Sequence, residues 1–523
     1  MMLKWTAGFS NSRMMLLCAS LLPLCLVLFS YSGLSTAKPT VTIADGSVVG
    51  TTTRIPGASS TVNKFLGIPF AVSPPKRFFP PASPKKWKKA LDATQFKPAC
   101  MQQFNYPETT RNFTISVFSS PNPPESEDCL YLNVFVPAKK SKKGGRAVMF
   151  WLYGGSLKFG TGGLWAYDGS SFAANQDVIV VTTNYRTNAF GFPNAPEQKQ
   201  NLGFLDQRKA LDWVQQNIAA FGGDPKKVTI FGESAGGYSV KQLLTFPPSP
   251  LNFRAAIIES PGAGATGDGA PAWVGLVAGL NCTTAESQFD CVKKASATDI
   301  KSVIEHGALT FAPVNDNTTH SSTMAAAVIS RKVAPVPILI GTNADEGSFY
   351  TVSVTDFSAF LQANFPNQTA VHAALTAAYP LSVYGTAARA ASAVFTDLAM
   401  TCPVSKLANL GKDNGYSMYR YYFNASFPNF QPFPGAGAWH SSEIQEVFGT
   451  YIQKGATAQQ IALSKVMQTA WADFAKDPNA GPGWSKLGTK MVDFGSNGSH
   501  KGKKIEQAVI DRNCALFSPL IVV

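Results

Sequence analysis

The chain has 523 residues, of which 45% are hydrophobic and 11% aromatic, which excludes a disordered protein. Charged residues make up only 15%, below the quarter usual for soluble proteins, which argues against a coiled coil. The formal net charge is +13, a balance that favours anionic partners. The Lys runs Lys85-Lys86-Trp87-Lys88-Lys89, Lys139-Lys140-Ser141-Lys142-Lys143 and Lys501-Gly502-Lys503-Lys504 come without a nucleic-acid motif or an aromatic-interleaved basic stripe. They read as three solvated turns, and no nucleic-acid partner is expected.

Lys4 and Arg13 precede an uncharged apolar run, Met14 to Tyr31, and small residues then lead to Ser35-Thr36-Ala37 before Lys38-Pro39. This reads as a signal peptide over residues 1–37, cleaved near Ala37, and hence as a secreted, extracellular protein. The run is also just long enough to span a bilayer, so a membrane anchor at residues 14–31 is the alternative; Pro23 and the small residues favour cleavage. Cys18 and Cys25 fall in that segment. The other six cysteines, Cys100, Cys129, Cys282, Cys291, Cys402 and Cys514, imply three disulfides in an oxidising compartment. Fifteen pairings are open, the sequential one being simplest. Sequons at Asn112, Asn281, Asn317, Asn367, Asn424 and Asn497 agree with secretion.

No repeat or low-complexity linker divides residues 38–523, which read as one long domain. The runs 147–153 and 177–184 are apolar and β-branched, as buried strands are. Over 204–221, Leu211, Val214, Ile218 and Phe221 recur at helical spacing, and Gly222-Gly223-Asp224-Pro225 ends the helix. Residues 228–231, 254–260 and 336–341 continue the strand pattern, and 416–423 alternates like a strand. Residues 458–474 carry Leu463, Val466, Ala470 and Phe474 on one helical face. Strands alternating with helices predict an α/β fold with a mostly parallel sheet between helices. Ligands in such folds sit beyond the carboxyl ends of the strands.

Gly232-Glu233-Ser234-Ala235-Gly236 follows one predicted strand and precedes a helix-compatible stretch, 235–246, the context of a nucleophile elbow. A serine hydroxyl needs a base and an orienting acid. Of the five histidines, His306, His320, His372, His440 and His500, His440 lies in a loop following the strand at 416–423, where a base belongs. The acid must fall between Ser234 and His440, and in Gly341-Thr-Asn-Ala-Asp345-Glu346-Gly347 both carboxylates qualify on spacing. An acyl-transfer oxyanion needs N–H donors; one is the Ala235 N–H, and the glycine-rich turn Tyr153-Gly154-Gly155-Ser156 after the strand at 147–153 supplies the others.

Taken together, these segments resemble the type-B carboxylesterase/lipase family, which includes the cholinesterases and secreted fungal lipases and carboxylesterases. Phe221 to Gly236 matches its serine signature and Glu127-Asp128-Cys129-Leu-Tyr-Leu-Asn-Val-Phe-Val-Pro137 its second signature. Phe65 to Ala71 and Asn201 to Gln207 are similar to further family segments. The resemblance implies an α/β-hydrolase fold with large insertions and a carboxylic ester hydrolase with Ser234, Glu346 and His440 as catalytic residues. Glu443 would be a structural partner. It implies Gly155, Ser156 and Ala235 as the oxyanion hole, and the pairs Cys100–Cys129, Cys282–Cys291 and Cys402–Cys514. The loop 101–128 would be a lid or gorge-rim loop, although its Phe104, Phe113, Val117 and Phe118 give no clean helical apolar face, which favours an esterase over a triacylglycerol lipase. The family usually has three glycines and Phe where this chain has Gly154-Gly155-Ser156-Leu157, a departure bearing on acyl size and rate. The remaining alternative is a catalytically silent binding or adhesion homologue. The expected partner is a small-molecule or lipid ester; no metal-ligand spacing or phosphate loop appears, and no cofactor is expected.

Overall fold

The apolar runs in the middle of the chain assemble into one sheet whose central strands are covered on both faces. The computed structural model describes residues 38–523 except 59, 142–143 and 263–268; the expected targeting segment, 1–37, lies outside the described residues. In chain order the strands are β1 (Thr40–Ile43), β2 (Gly46–Val49), β3 (Thr51–Arg54), β4 (Thr61–Pro69), β5 (Leu91–Asp92), β6 (Tyr131–Pro137) and β7 (Arg146–Leu152). They continue as β8 (Ile179–Thr183), β9 (Gly223–Glu233), β10 (Ala255–Glu259), β11 (Ile338–Asn343), β12 (Met418–Phe423), β13 (Lys490–Phe494) and β14 (Gly502–Glu506).

Strands β1, β2 and β5 form a small sheet, and the other eleven form one large sheet in the order β14-β13-β12-β11-β10-β9-β7-β8-β6-β4-β3. From β13 to β8 every neighbouring pair is parallel. The edges, β14 on one side and β6, β4 and β3 on the other, run antiparallel. With helices on both faces, β7, β8, β10 and β11 are buried at every position, which is why their sequences are continuous apolar runs rather than alternating ones. This is the α/β-hydrolase architecture, a mostly parallel sheet flanked by helices, with a long helical insertion between β11 and β12.

Two boundaries differ from the sequence reading. The helix expected over 204–221 is α-helical over Leu202–Asn217 and tightens to a 3-10 turn at Ile218–Phe221, where Gly222 at φ 83° reverses the chain. Strand β9 begins at Gly223, five residues before the apolar run, because Gly223 pairs with Arg146 of β7. One reading is corrected: the run from Lys501 to Lys504 is not a turn, since residues 502–504 open the edge strand β14. Its lysines hid the strand, and charge on an edge is also what blocks pairing with other chains.

The sulfurs of Cys100 and Cys129, of Cys282 and Cys291, and of Cys402 and Cys514 are bonded. The first bond closes the loop 101–128, in which Glu108–Phe118 is a helix with no fully buried residue. Among the described residues no helix is long and apolar enough to cross a membrane.

Candidate active site

Parallel strands deliver their carboxyl ends to one rim, and the candidate residues follow those ends. Strand β9 stops at Glu233 and a helix starts at Ala235, so Ser234 alone makes the turn, at φ 54° and ψ −122°. That conformation is outside the regions a side-chain-bearing residue prefers. The turn closes against β7: a Cβ at Gly236 would lie 1.9 Å from the Leu152 carbonyl oxygen, and one at Gly232 2.6 Å from it. The glycines are therefore steric requirements, and the Ser234 N–H donates to the Glu259 carbonyl at 2.9 Å. Glu233 and Ala235 are buried while Ser234 stays half-exposed.

Beyond β11, Glu346 is fully buried. Its Oε1 accepts from the Asn343 N–H at 2.7 Å and from the Ser260 hydroxyl, and its Oε2 lies 2.6 Å from His440 Nδ1. Asp345 points elsewhere. Its Oδ2 accepts from the Ala438 N–H at 2.9 Å, and it lines a separate polar cavity. Spacing left these two acids equivalent; the fold brings only Glu346 to the imidazole.

His440 is 2% exposed. Its Nε2 lies 3.2 Å from Glu233 Oε1 and has no hydrogen-bond partner, so the structure closes no bond between His440 and Ser234. Glu233, which faces that imidazole, and Ser234 both pack against Gly154, where a Cβ would lie 2.7 Å from Glu233 Oε2 and 3.0 Å from Ser234 Cβ. The other histidines with described contacts serve elsewhere. His320 bonds the Tyr238 hydroxyl, His306 stacks on Tyr106, and His372 meets the Phe365 carbonyl.

Around the imidazole lies a set of buried acids that sequence reading did not assemble. Glu233 Oε1 accepts from the Ser441 hydroxyl at 2.6 Å. Asn343 Nδ2 donates to Glu443 Oε2, and Trp471 Nε1 donates to Glu259 Oε1. Burial pushes Glu233 up to about 7 against the pull of His440. Burial likewise raises Glu259 to about 8 and Glu443 well above the carboxylate range. For His440, burial acts to lower the pKa, but the electrostatic influence of Tyr350, Glu233 and Glu346 and the hydrogen bond to Glu346 outweigh it and raise the imidazole well above its ordinary value. Of these residues the resemblance had named only Glu443, as a structural partner; Glu233 was legible as the neighbour of Ser234 in the signature, while Ser260, Asn343 and Ser441 belong to three separate segments.

The glycine-rich turn lies beside the elbow. Gly155, Ser156 and Leu157 all have positive φ, at 104°, 56° and 57°, and the N–H groups of Lys158 and Phe159 close on the Gly155 carbonyl at 2.8 and 3.1 Å. The Ser156 side chain is exposed, so its Cβ and hydroxyl stand in open space rather than in the core. The Ala235 N–H, first of its helix, has no acceptor within the helix. A small cavity next to Gly155 and Glu233 is lined by Phe118, Phe159, Tyr167 and Trp439. The helix Glu108–Phe118 covers it through Phe118, whose ring lies 6.3 Å from Phe159 and 6.0 Å from Trp439. Among the described residues no cluster of three or more His, Cys, Asp or Glu is arranged to hold a metal.

The profile of the Carboxylesterase family matches residues 37–514. An acetylcholinesterase of Bungarus fasciatus is 33% identical over 482 residues, 84% of this chain and 78% of that protein. The para-nitrobenzyl esterase of Bacillus subtilis (strain 168) is 34% identical over 475 residues, 84% of this chain and 90% of that protein. Carboxylesterase 1F of Mus musculus is 31% identical over 510 residues, 88% of this chain and 90% of that protein. With strand-end residues, elbow and sheet order already in agreement, the chain belongs to the carboxylesterase family of serine hydrolases.

Proposed function

We propose that the protein is a secreted serine carboxylic ester hydrolase working through an acyl-enzyme on Ser234. The observation that carries this reading is the buried 2.6 Å contact between Glu346 and His440 Nδ1, held on the same rim as the strained Ser234. In the mechanism, His440 Nε2 takes the Ser234 proton as the hydroxyl oxygen attacks the ester carbonyl. Glu346 fixes the tautomer that leaves Nε2 free and stabilises the imidazolium. The backbone N–H groups of Gly155, Ser156 and Ala235 receive the developing oxyanion. His440 then protonates the departing alcohol, and water, activated the same way, releases the acid. Three disulfides and six exposed sequon asparagines suit an extracellular enzyme.

The reading favours esterase over triacylglycerol lipase. Phe113 and Phe118 of the loop helix are engaged with Phe349, at 5.1 and 4.7 Å, which leaves no clean apolar face for an oil surface. A rate that jumps when a triglyceride forms an emulsion would reverse that choice. Ser234→Ala is expected to lower turnover of p-nitrophenyl esters by about six orders of magnitude, by analogy with serine proteases, and to abolish labelling by a fluorophosphonate. Full labelling or unchanged turnover in the variant would refute the mechanism, and absence of labelling in the native chain would favour a silent binding protein.

A further inference from the structure

Two of the three lysine runs, which ester hydrolysis leaves unused, are brought together by the fold. The run Lys85–Lys89 is tied to the β1–β2 turn. The Trp87 N–H donates to the Asp45 carbonyl and the Trp87 indole N–H to the Ser47 carbonyl, each at 2.8 Å. That turn rests on the end of the helix Leu202–Asn217, where the Ala44 N–H donates to Asn217 Oδ1 at 3.2 Å. The 3-10 turn Ile218–Phe221 then leads to Gly222, about 10 Å on at about 2 Å per residue. The Gly222 carbonyl accepts from the Arg146 N–H at 3.0 Å, and Arg146 Nη2 donates to the Lys139 carbonyl at 2.6 Å. Lys227 Nζ donates to the Gly144 carbonyl at 2.9 Å. Lys85–Lys89, Lys139-Lys140 and Lys226-Lys227 therefore border one patch.

The touching segments 44–47, 85–89, 139–140, 217–222 and 224–227 hold eight lysines against two acids, Asp45 and Asp224. That excess of six is more than half of the +11 on residues 38–523, since the other two charges of the chain's +13 are Lys4 and Arg13. Seven of the eight lysines are exposed. Lys227 engages Asp224 at 3.4 Å, and among the described residues the other seven meet no acid. Arg146 is already matched by Asp177 at 2.7 Å. Charges of one sign held together repel one another and draw in a partner of the opposite sign. Cations spread over a surface in this way suit a polymer with anions along its length rather than one small anion. The patch also has a definite place. Strands β7 and β9 start beside it, and β9 runs from Gly223 to Glu233 before the chain reaches Ser234, about 30 Å of strand. The patch thus lies at the rim opposite Ser234.

We propose that this patch binds an acidic polysaccharide, which holds the protein with its Ser234 rim turned to solvent. The choice of a polysaccharide over a nucleic acid rests on the secreted reading; the patch itself does not depend on the role of Ser234. Titration of a fluorescein-labelled heparin oligosaccharide with the purified protein, followed by anisotropy, tests it. Affinity is expected to fall about tenfold or more between about 50 and 200 mM salt, because binding releases counterions condensed on the polymer. Dextran, which is neutral, should not compete. Lys85→Glu with Lys86→Glu, and Lys139→Glu with Lys140→Glu, should each weaken binding about tenfold. Lys501→Glu with Lys503→Glu changes the net charge equally, but these lysines sit where β14 meets the carboxyl end of β13. That variant should weaken binding by no more than about twofold, since charges beyond a screening length count little. Turnover of a p-nitrophenyl ester should be unchanged with heparin bound. An equal loss in all three double variants would make the affinity a matter of net charge, and no loss in the two patch variants would place it elsewhere; either overturns the proposal. So do competition by dextran, a DNA duplex that binds more tightly than heparin, and inhibition of turnover by bound heparin.

Discussion

Strain at single residues sets the candidate site. Ser234 at φ 54° and Ser260 at φ 43° end neighbouring strands β9 and β10, and both are held by the sheet rather than by preference. The Ser234 N–H is tied to Glu259 and the Ser260 N–H to Gly341, each at 2.9 Å. Ser260 then presents its hydroxyl to Glu346, so a strained turn on one strand orients the acid carried by the next. Glu233 is a second carboxylate against the imidazole, 3.2 Å from the free Nε2. Together with Tyr350 and Glu346 it holds the His440 pKa up against burial. A base must be neutral to accept a proton, so Glu233→Gln, which removes a negative neighbour, is expected to move the acid limb of the kcat/KM–pH profile to lower pH. An acid limb that stays in place or moves upward in that variant would show that Glu233 acts only through packing.

Among elements, those covered on both sides were the legible ones. Strands β7, β8, β10 and β11 reveal themselves as apolar runs because no position faces water, and Ser234, the pair Asp345-Glu346 and His440 were locatable because they follow the largely buried parallel strands β9, β11 and β12. Elements half-facing solvent were not legible. β14 looks like a lysine-rich turn, and the loop helix Glu108–Phe118 buries no residue that would mark its period. The choice of Glu346 over Asp345 needed the resemblance, since side-chain direction in a turn is not written in spacing. The cysteines tie down elements that packing holds less well. Cys402–Cys514 fastens the last turn of chain, Cys514–Phe517, to the helix Cys402–Asp413 across 112 residues, whereas Cys282–Cys291 spans 9. On the loop-entropy model these contribute about 5 and about 3 kcal/mol. Replacing both cysteines of a pair by serine should therefore lower the urea midpoint more for the 402–514 pair. The opposite order would mean that native packing, not chain entropy, decides the effect.

At the scale of the molecule, a chain with net charge +13 holds acids in its interior that pair with no Lys or Arg among the described residues. Glu233, Glu259 and Glu446 are all at most 2% exposed, and burial raises them to about 7, 8 and 8 respectively. The composition cannot show this, because their partners, Ser441, Trp471 and Gln460, are distant in sequence. The consequence for stability has a definite sign. Between pH 6.5 and 8 the unfolded chain has these carboxyls ionised while the folded chain still holds protons on them, so the folded state binds more protons and loses stability as pH rises. His440, raised in the fold, acts in the same direction. His320, lowered to about 4 by burial, opposes the trend only below pH 6.5, and Lys241, lowered to about 8 by burial, opposes it only above 8. Each raised carboxyl contributes a slope of up to about 1.4 kcal/mol per pH unit, so the unfolding free energy should fall by a few kcal/mol across that window. Urea unfolding at intervals from pH 6.5 to 8 measures it. Glu259→Gln, which keeps an acceptor for the Trp471 indole but cannot ionise, should flatten the slope. An unfolding free energy that rises over this range, or a slope that Glu259→Gln leaves untouched, would mean that these acids are already ionised in the folded protein.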